Sequence, residues 1–243
     1  MRHVLLHYHI FKNAGSSVDA LLREAFGERH LSYDPKDRQL VDGEGLRAAI
    51  LARPDLRSLS THQGRPPVPE IPGAKVYPVV FVRDPILRAA SAYRFHRDAG
   101  VHPAVSFPEY VRLRLHGYTA IHDFQTAFLS GFQPADRAAA RPMGEADYAA
   151  ATGFLRALPA FGIVERFDDA MRDLAAWLGP VFPEIAWRPI HTNRGADGLA
   201  TVEAIRDALG ARAFADLCAA NVYDARLYEE ALRVKEEPRR ACD

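Results

Sequence analysis

The chain of 243 residues contains 48% hydrophobic, 26% charged and 10% aromatic residues, which is the ordinary range for a globular protein with a sizeable core. Its 31 lysines and arginines balance 31 aspartates and glutamates, so the formal net charge is zero. This balance argues against a protein that binds nucleic acid through a broad basic surface.

The two cysteines, Cys218 and Cys242, argue against a disulfide-stapled secreted domain and exclude a cysteine-rich metal site. No apolar stretch approaches the length of a membrane span, and the histidine-rich start is too short for a signal-peptide core. We expect a cytoplasmic protein that forms one domain over residues 1–243, with a frayed end from about residue 236. Composition leaves the oligomeric state open.

Strands and helices alternate along the chain. β-Branched and aromatic runs predict strands, and apolar residues at helical spacing predict helices. The predicted strands are 3–10, 58–62, 75–82, 161–164 and 186–190. The predicted helices are 18–26, 43–53, 86–95, 107–116, 120–129, 168–178 and 202–234. The alternation predicts an α/β fold with a parallel sheet.

The strand at 75–82 is the most apolar segment, which is typical of a central parallel strand covered on both faces. Two segments rich in proline and glycine, 64–73 and 133–144, predict surface loops.

The first strand runs into a segment with the sequence KNAGSS. Its members are Lys12, Asn13, Ala14, Gly15, Ser16 and Ser17. A turn of small residues at the carboxyl end of a parallel strand exposes backbone N–H groups, and the positive end of the following helix favours an anion. The spacing is not that of a Walker A loop. The segment indicates either a phosphate cradle or a helix that Ser16 or Ser17 caps.

A second polar element follows the strand at 75–82. Arg83 leaves that strand at the sheet edge where α/β proteins bind ligands. Ser91 lies eight residues further on, roughly two turns into the next helix. A guanidinium and a hydroxyl that converge there could clamp one phosphate. The alternative is a local ion pair between Arg83 and Asp84.

The first element resembles the 5′-phosphosulfate loop of sulfotransferases. The segment HIFKNAGSS at residues 9–17 is similar to the pattern HIPKTAGTS of the carbohydrate-type group. Phe11 stands where that pattern has proline, and Asn13 stands where it has threonine.

The second element resembles the 3′-phosphate motif of the same family. It consists of VRDP at residues 82–85, followed by Arg88, Ser91 and Tyr93. Residues 161–167 are similar to the family's later strand-turn, and residues 224–228 to its ending. The chain therefore resembles a short, bacterial-like member of the sulfotransferase family that uses 3′-phosphoadenosine 5′-phosphosulfate (PAPS).

This resemblance implies a P-loop-type three-layer fold with a central parallel sheet flanked by helices. It also implies in-line transfer of a sulfuryl group from PAPS to an acceptor hydroxyl of a small molecule or glycan, a carbohydrate or glycolipid in particular, without a metal. Lys12 would stabilise the departing diphosphate, while Arg83 and Ser91 would hold the 3′-phosphate. The amides and hydroxyls of Ala14, Gly15, Ser16 and Ser17 would hold the 5′-phosphate, and Lys12 and Asn13 would be cofactor-binding residues of the same loop.

The acceptor hydroxyl needs a base, and histidine suits this role near neutral pH. His62 is the first candidate, because it stands where many carbohydrate-type members have a Gly-His segment, although Thr61 replaces the glycine. His9 is the alternative base.

Three further expectations concern side chains near these elements. His7 and His9 share one strand face, which suits a metal, but the sequence places no carboxylate or thiol nearby. Arg194, which follows the strand at 186–190, would reach the 3′-phosphate. Glu165 and Arg166 would form an internal ion pair that supports the site.

Two other classes of protein remain as alternatives. A nucleotide kinase-like phosphotransferase with a P-loop shares the implied fold, but the Walker lysine is missing and Arg83 with Ser91 favours a 3′-phosphate. A catalytically silent nucleotide-binding protein is the other alternative. Lys12 and a histidine base argue against it.

Overall fold

Five strands form one sheet in a computed structural model, which describes the chain except residues 37–38, 102–103, 116–118, 133–141, 189–197 and 238–243. The strands are β1 (Arg2–Tyr8), β2 (His30–Ser32), β3 (Ser58–Thr61), β4 (Ala74–Val82) and β5 (Gly162–Ile163). They pair in parallel throughout, in the order β2-β3-β1-β4-β5.

Helices of the described chain flank the sheet. They are α1 (Gly15–Phe26), α2 (Gly43–Leu51), α3 (Pro85–Asp98), α4 (Phe107–Arg114), α5 (Phe124–Ser130), α6 (Glu145–Ala157), α7 (Phe167–Leu178), α8 (Val202–Ala219) and α9 (Val222–Glu236). None of them is both long and apolar enough to cross a membrane.

The side chains of β1 alternate between two cores. Val4, Leu6 and Tyr8 pack with α2, α5, α6 and α9 on one face of the sheet. Leu5, on the opposite face, packs with α1 and α7. Because both faces are covered, a central strand is mostly apolar, as residues 76–82 are. The predicted three-layer α/β fold with a central parallel sheet flanked by helices is confirmed.

Most predicted elements lie within a few residues of the observed ones, but the helix predicted at 120–129 begins only at Phe124. The helix predicted at 202–234 is two helices, α8 and α9, and Gly210 interrupts the first with φ 73°. Sequence patterns missed β2 and α6 altogether. Residues 186–188 form no strand, so the strand predicted at 186–190 is wrong in its described part.

A buried polar network joins α3, α5 and α9. The fully buried Arg88 lies 3.5 Å from Asp224 and donates to the Ala120 carbonyl at 2.6 Å. The Asp224 carboxylate accepts two N–H groups from the first turn of α5, at 3.1 and 2.7 Å. Asp123 accepts the Asp224 N–H at 2.8 Å. Two carboxylates therefore share a buried region with one guanidinium.

Asp123 makes the stability of this network sensitive to pH. Burial, and then the neighbouring Asp224 carboxylate, raises the pKa of Asp123 from 3.8 to about 7. Between these values the native protein binds more protons than the unfolded chain, so its stability falls as pH rises.

We expect Asp123→Asn to raise the melting temperature at about pH 8, and the gain to disappear towards about pH 4. Asparagine keeps the acceptor oxygen, loses the charge, and tolerates the left-handed backbone at this position, where φ is 39°. Thermal unfolding followed by circular dichroism at both pH values measures the effect. The exposed Asp207→Asn serves as control. An equal gain at both pH values would contradict the assignment.

Candidate functional site

Three segments leave the sheet side by side at one edge. Tyr8 of β1 lies opposite Thr61 of β3 and opposite Val80 of β4, so the carboxyl ends of these strands are close together. Ligands of α/β proteins bind at this end of a parallel sheet. The segments that follow the strands carry Lys12, His62 and Arg83.

The segment between β1 and α1 is tightly wound. Lys12 and Ala14 both have positive φ angles, 67° and 61°, which are uncommon for residues other than glycine. The Asn13 N–H between them donates to the Ile10 carbonyl at 3.1 Å. Such backbone conformations cluster at ligand sites, where surrounding contacts hold them.

This winding starts α1 earlier than predicted. The helix begins at Gly15, and Ala14 is its N-cap without a side-chain acceptor, so the prediction that Ser16 or Ser17 caps the helix is wrong. The N–H groups of Ala14, Gly15 and Ser16 meet no acceptor among the described residues, as is usual for the first turn of a helix. Ser16 is exposed and Ser17 half-buried. These groups can together receive an anion.

Gly15 allows the closest approach in the site. A Cβ atom at this position would lie 1.9 Å from Cδ2 and 2.2 Å from Nε2 of His9. The imidazole therefore lies directly against the first residue of α1, and glycine is required there for steric reasons.

Asn13 holds the segment in place from inside. Its side chain is buried and donates to the Phe81 carbonyl and to Gln125 Oε1, both at 2.7 Å. Gln125 also accepts the Arg83 N–H and donates to the Arg83 carbonyl, both at 2.8 Å. The Asn13 side-chain NH2 is thus committed to β4 and α5, and its N–H to the loop; that Asn13 binds a cofactor stays a prediction.

Three cations gather beside the loop. Burial lowers the pKa of Lys12, and the charges of Arg83 and of Arg94 on α3 lower it further. Burial also lowers the pKa of Arg83, where Glu165 opposes this effect and Arg94 adds to it. The Lys12 ammonium lies 4.7 Å from the centre of the Phe95 ring. Like charges held this closely favour a bound anion.

Arg83 is oriented by the loop and by one carboxylate. It donates to the Lys12 carbonyl at 3.0 Å, and its Nε lies 3.5 Å from Glu165. Asp84 instead caps α3, accepting two N–H groups of its first turn at 2.8 and 2.9 Å. Among the described residues, the alternative Arg83–Asp84 ion pair is not formed.

Glu165 supports the site through partners other than the predicted one. Tyr228 donates to it at 3.1 Å, and Arg83 is its ionic partner. Arg166 pairs with Glu236 at 3.1 Å. The predicted Glu165–Arg166 ion pair is therefore wrong, because the 3₁₀ turn at Val164–Arg166 places the two side chains against different elements.

α3 presents Ser91 and Arg94 one turn apart, on the same side of the helix. That Ser91 and Arg83 converge on one phosphate stays a prediction. Tyr93, like Arg88, packs inside the fold and donates to the Val105 carbonyl at 3.1 Å. The sequence interpretation missed Arg94, although its spacing from Ser91 was a usable signal.

His62 has a defined tautomer. Its Nδ1 lies 2.9 Å from the His9 carbonyl, and because a carbonyl only accepts, Nδ1 carries the proton and Nε2 is free to accept one. The ring packs on that of His9 with centres 3.8 Å apart. Burial lowers the pKa of His62, and His9 lowers it further. The neutral ring suits a general base.

A buried carboxylate joins the histidines of β1. Asp19 on α1 lies 2.8 Å from His7 Nδ1 and 3.0 Å from His9 Nδ1, and it also accepts the Ser60 hydroxyl. The expectation that no carboxylate lies near these histidines is therefore wrong. Burial alone would raise the pKa of Asp19, but the hydrogen bonds from His7 and His9 outweigh it and hold the pKa well below its usual range.

The sequence interpretation missed Asp19, although its position on α1 was a usable signal. It lies three residues before Leu22, on the face of α1 that packs against the sheet, where a charged residue needs a partner. Arg194 lies outside the described residues, so its contact with a cofactor stays a prediction.

Fold and site together define a three-layer α/β protein with free amides and clustered cations at the carboxyl edge of its sheet. No family model matches the chain. An uncharacterized protein of Archaeoglobus fulgidus is 31% identical over 210 residues, covering 79% of this chain and 79% of the relative. The chain belongs to the same family as this archaeal protein. Its description assigns no activity, so the activity must be argued from the site.

We expect Gly15→Ala to lower the melting temperature and weaken anion binding, because its Cβ overlaps the His9 ring. Gly153→Ala in α6 is the matched control, since nothing lies within 4 Å of its Cβ position. That control should gain about 0.5–1 kcal/mol from helix propensity. Thermal unfolding of both variants measures the two melting temperatures. Equal changes in Gly15→Ala and Gly153→Ala would contradict the close contact between Gly15 and the His9 ring.

Proposed function

We propose that the protein is a sulfotransferase that moves the sulfuryl group of PAPS to an acceptor hydroxyl on a carbohydrate or glycolipid. The observation that carries this proposal is the cluster of Lys12, Arg83 and Arg94 beside the free amides at the start of α1. A ligand with several negative groups matches a cluster of this kind. The resemblance of residues 9–17 and 82–85 to the two phosphate motifs selects the ligand class.

The start of α1 would receive the 5′-phosphate. The N–H groups of Ala14, Gly15 and Ser16 supply donors, and the hydroxyls of Ser16 and Ser17 lie in the same turn. PAPS would supply an activated sulfuryl group: the acceptor oxygen would bond to sulfur while the bond from sulfur to the 5′-phosphate breaks on the opposite side, so that 3′-phosphoadenosine 5′-phosphate leaves and the hydroxyl proton passes to a base. Lys12, at the entrance of the turn, would stabilise the negative charge that develops on the leaving phosphate.

Arg83, with Ser91, would hold the 3′-phosphate and reject nucleotides that lack it. Its Nη1 is tied to the Lys12 carbonyl, so the same guanidinium that would hold one phosphate positions the lysine beside the other. Arg94 adds charge to this region.

His62 would accept the proton of the acceptor hydroxyl. Its Nδ1–H is committed to the His9 carbonyl, which leaves Nε2 as the accepting atom. His9 is the poorer candidate because it is buried against Gly15 and hydrogen-bonded to Asp19.

The first test is calorimetric titration with 3′-phosphoadenosine 5′-phosphate, 5′-AMP and ATP. We expect the 3′-phosphorylated nucleotide to bind most tightly. A preference for ATP would move the protein to the phosphotransferases, and binding of none of the three would remove the nucleotide from the proposal.

We expect Arg83→Ala to weaken binding of 3′-phosphoadenosine 5′-phosphate by about tenfold to a hundredfold, the usual effect of a lost charge-assisted hydrogen bond. Binding of 5′-AMP should fall less, because that nucleotide loses only the indirect support of Lys12 through its carbonyl and no 3′-phosphate contact. Arg97→Ala is the control, since Arg97 lies on the same helix and is paired with Asp98 at 3.0 Å. An equal loss for both nucleotides would argue against a 3′-phosphate clamp.

We expect His62→Ala to lower kcat by about 10²–10⁴-fold with little change in nucleotide affinity, because only proton transfer is lost. The rate of sulfuryl transfer from labelled PAPS to an acceptor found by screening gives kcat. His3→Ala at the opposite end of β1 is the control and should keep its kcat. Unchanged turnover in His62→Ala would move the base to another residue.

A further inference from the structure

Beneath the loop, four polar side chains from three elements meet in the interior. His7 and His9 come from β1, Asp19 from α1 and Ser60 from β3. All are more than nine-tenths buried, with exposures of 1%, 8%, 6% and 2% respectively. One possible ligand atom from each of His7, His9 and Asp19 can be chosen so that all three lie within 4.8 Å of one another. This cluster is separate from the cations that the proposed transfer uses.

The charge of this cluster needs compensation. Among the described residues Asp19 forms no ion pair with a lysine or arginine, and its partners are the two imidazoles and the Ser60 hydroxyl. A buried carboxylate that has no cation beside it is unfavourable. Either a proton on one imidazole or a bound cation can supply the missing positive charge.

The donor atoms of this cluster suit a transition metal better than calcium or magnesium. Two imidazole nitrogens with one carboxylate are typical of zinc and related ions, whereas calcium and magnesium take oxygen ligands. Zinc bonds of about 2.0–2.1 Å in tetrahedral geometry separate ligand atoms by about 3.3 Å. The observed separations are close to this value: 2.8 Å between His7 Nδ1 and Asp19 Oδ1, and 3.0 Å between His9 Nδ1 and Asp19 Oδ2.

We propose that His7 Nδ1, His9 Nδ1 and the Asp19 carboxylate bind one divalent transition-metal ion, zinc being the first candidate, with the Ser60 hydroxyl as a further ligand. The ion would crosslink β1, α1 and β3 under the anion-binding loop. Because the ligands are buried, its role is structural and the sulfuryl transfer does not use it. The inference stands independently of the proposed function.

Metal analysis of the protein, produced without a polyhistidine tag, is the test. We expect about one zinc ion per chain after equilibration with zinc and removal of the excess. Cobalt substitution should produce the visible absorption of a tetrahedral site. Chelation should lower the melting temperature, and zinc should restore it.

Variants locate the site. Asp19→Asn and His7→Gln should each reduce zinc affinity by more than about a hundredfold. His30→Gln is the matched control: His30 is a neighbouring histidine on β2, hydrogen-bonded to Ser58 at 2.8 Å and outside the ligand set. It should keep the metal.

Nuclear magnetic resonance of the histidines in the wild-type protein tests for a bound metal even if the variants fail to fold. With the metal bound, Nδ1 of His7 and His9 carries no proton. In a metal-free network both nitrogens carry protons donated to Asp19. Retained Nδ1 protons in excess zinc, with no zinc bound, would overturn the proposal. Neither readout involves a nucleotide, so failure here leaves the proposed transfer untouched.

Discussion

The hydrogen bonds of the two buried amides, Asn13 and Gln125, hold the loop after β1 against the end of β4 at the carboxyl edge of the sheet. Asn13 ties the loop after β1 to the end of β4, and Gln125 holds the backbone of Arg83 from both sides. Both side chains are buried, where an unpaired amide would be costly. Their pairing explains how Lys12 can keep a positive φ angle. It also fixes how the loop and Arg83 lie relative to each other.

The charges on the two sides of this loop have opposite sign. On one side Lys12, Arg83 and Arg94 crowd together, and on the other Asp19 is buried among imidazoles. His9 separates the two regions, with one edge against Gly15 and its Nδ1 on Asp19. The fold therefore places the proposed anion site and the proposed metal site on two sides of the same loop.

Some polar residues inside the fold hold helices together, and others belong to the candidate site. Arg88 and Asp224 belong to the motifs that resemble sulfotransferases, yet both are fully buried and hold α3, α5 and α9 together. Glu165 lies between the two groups, since it accepts from Tyr228 and orients Arg83. A motif in this chain thus combines residues of the candidate site with residues that hold the neighbouring helices in place.

The sequence by itself determined the α/β class, the central strand at 75–82 and the turn at residues 12–17, because hydrophobic periodicity and turn-forming residues are local signals. Only the tertiary structure decided the partners of the polar side chains. Asn13 bonds to a residue 112 positions away, and Arg83 pairs with Glu165 in preference to its neighbour Asp84. Asp19 reaches His7 and His9 because α1 packs against β1. These pairings are set by the packing of whole elements, which no short stretch of sequence encodes.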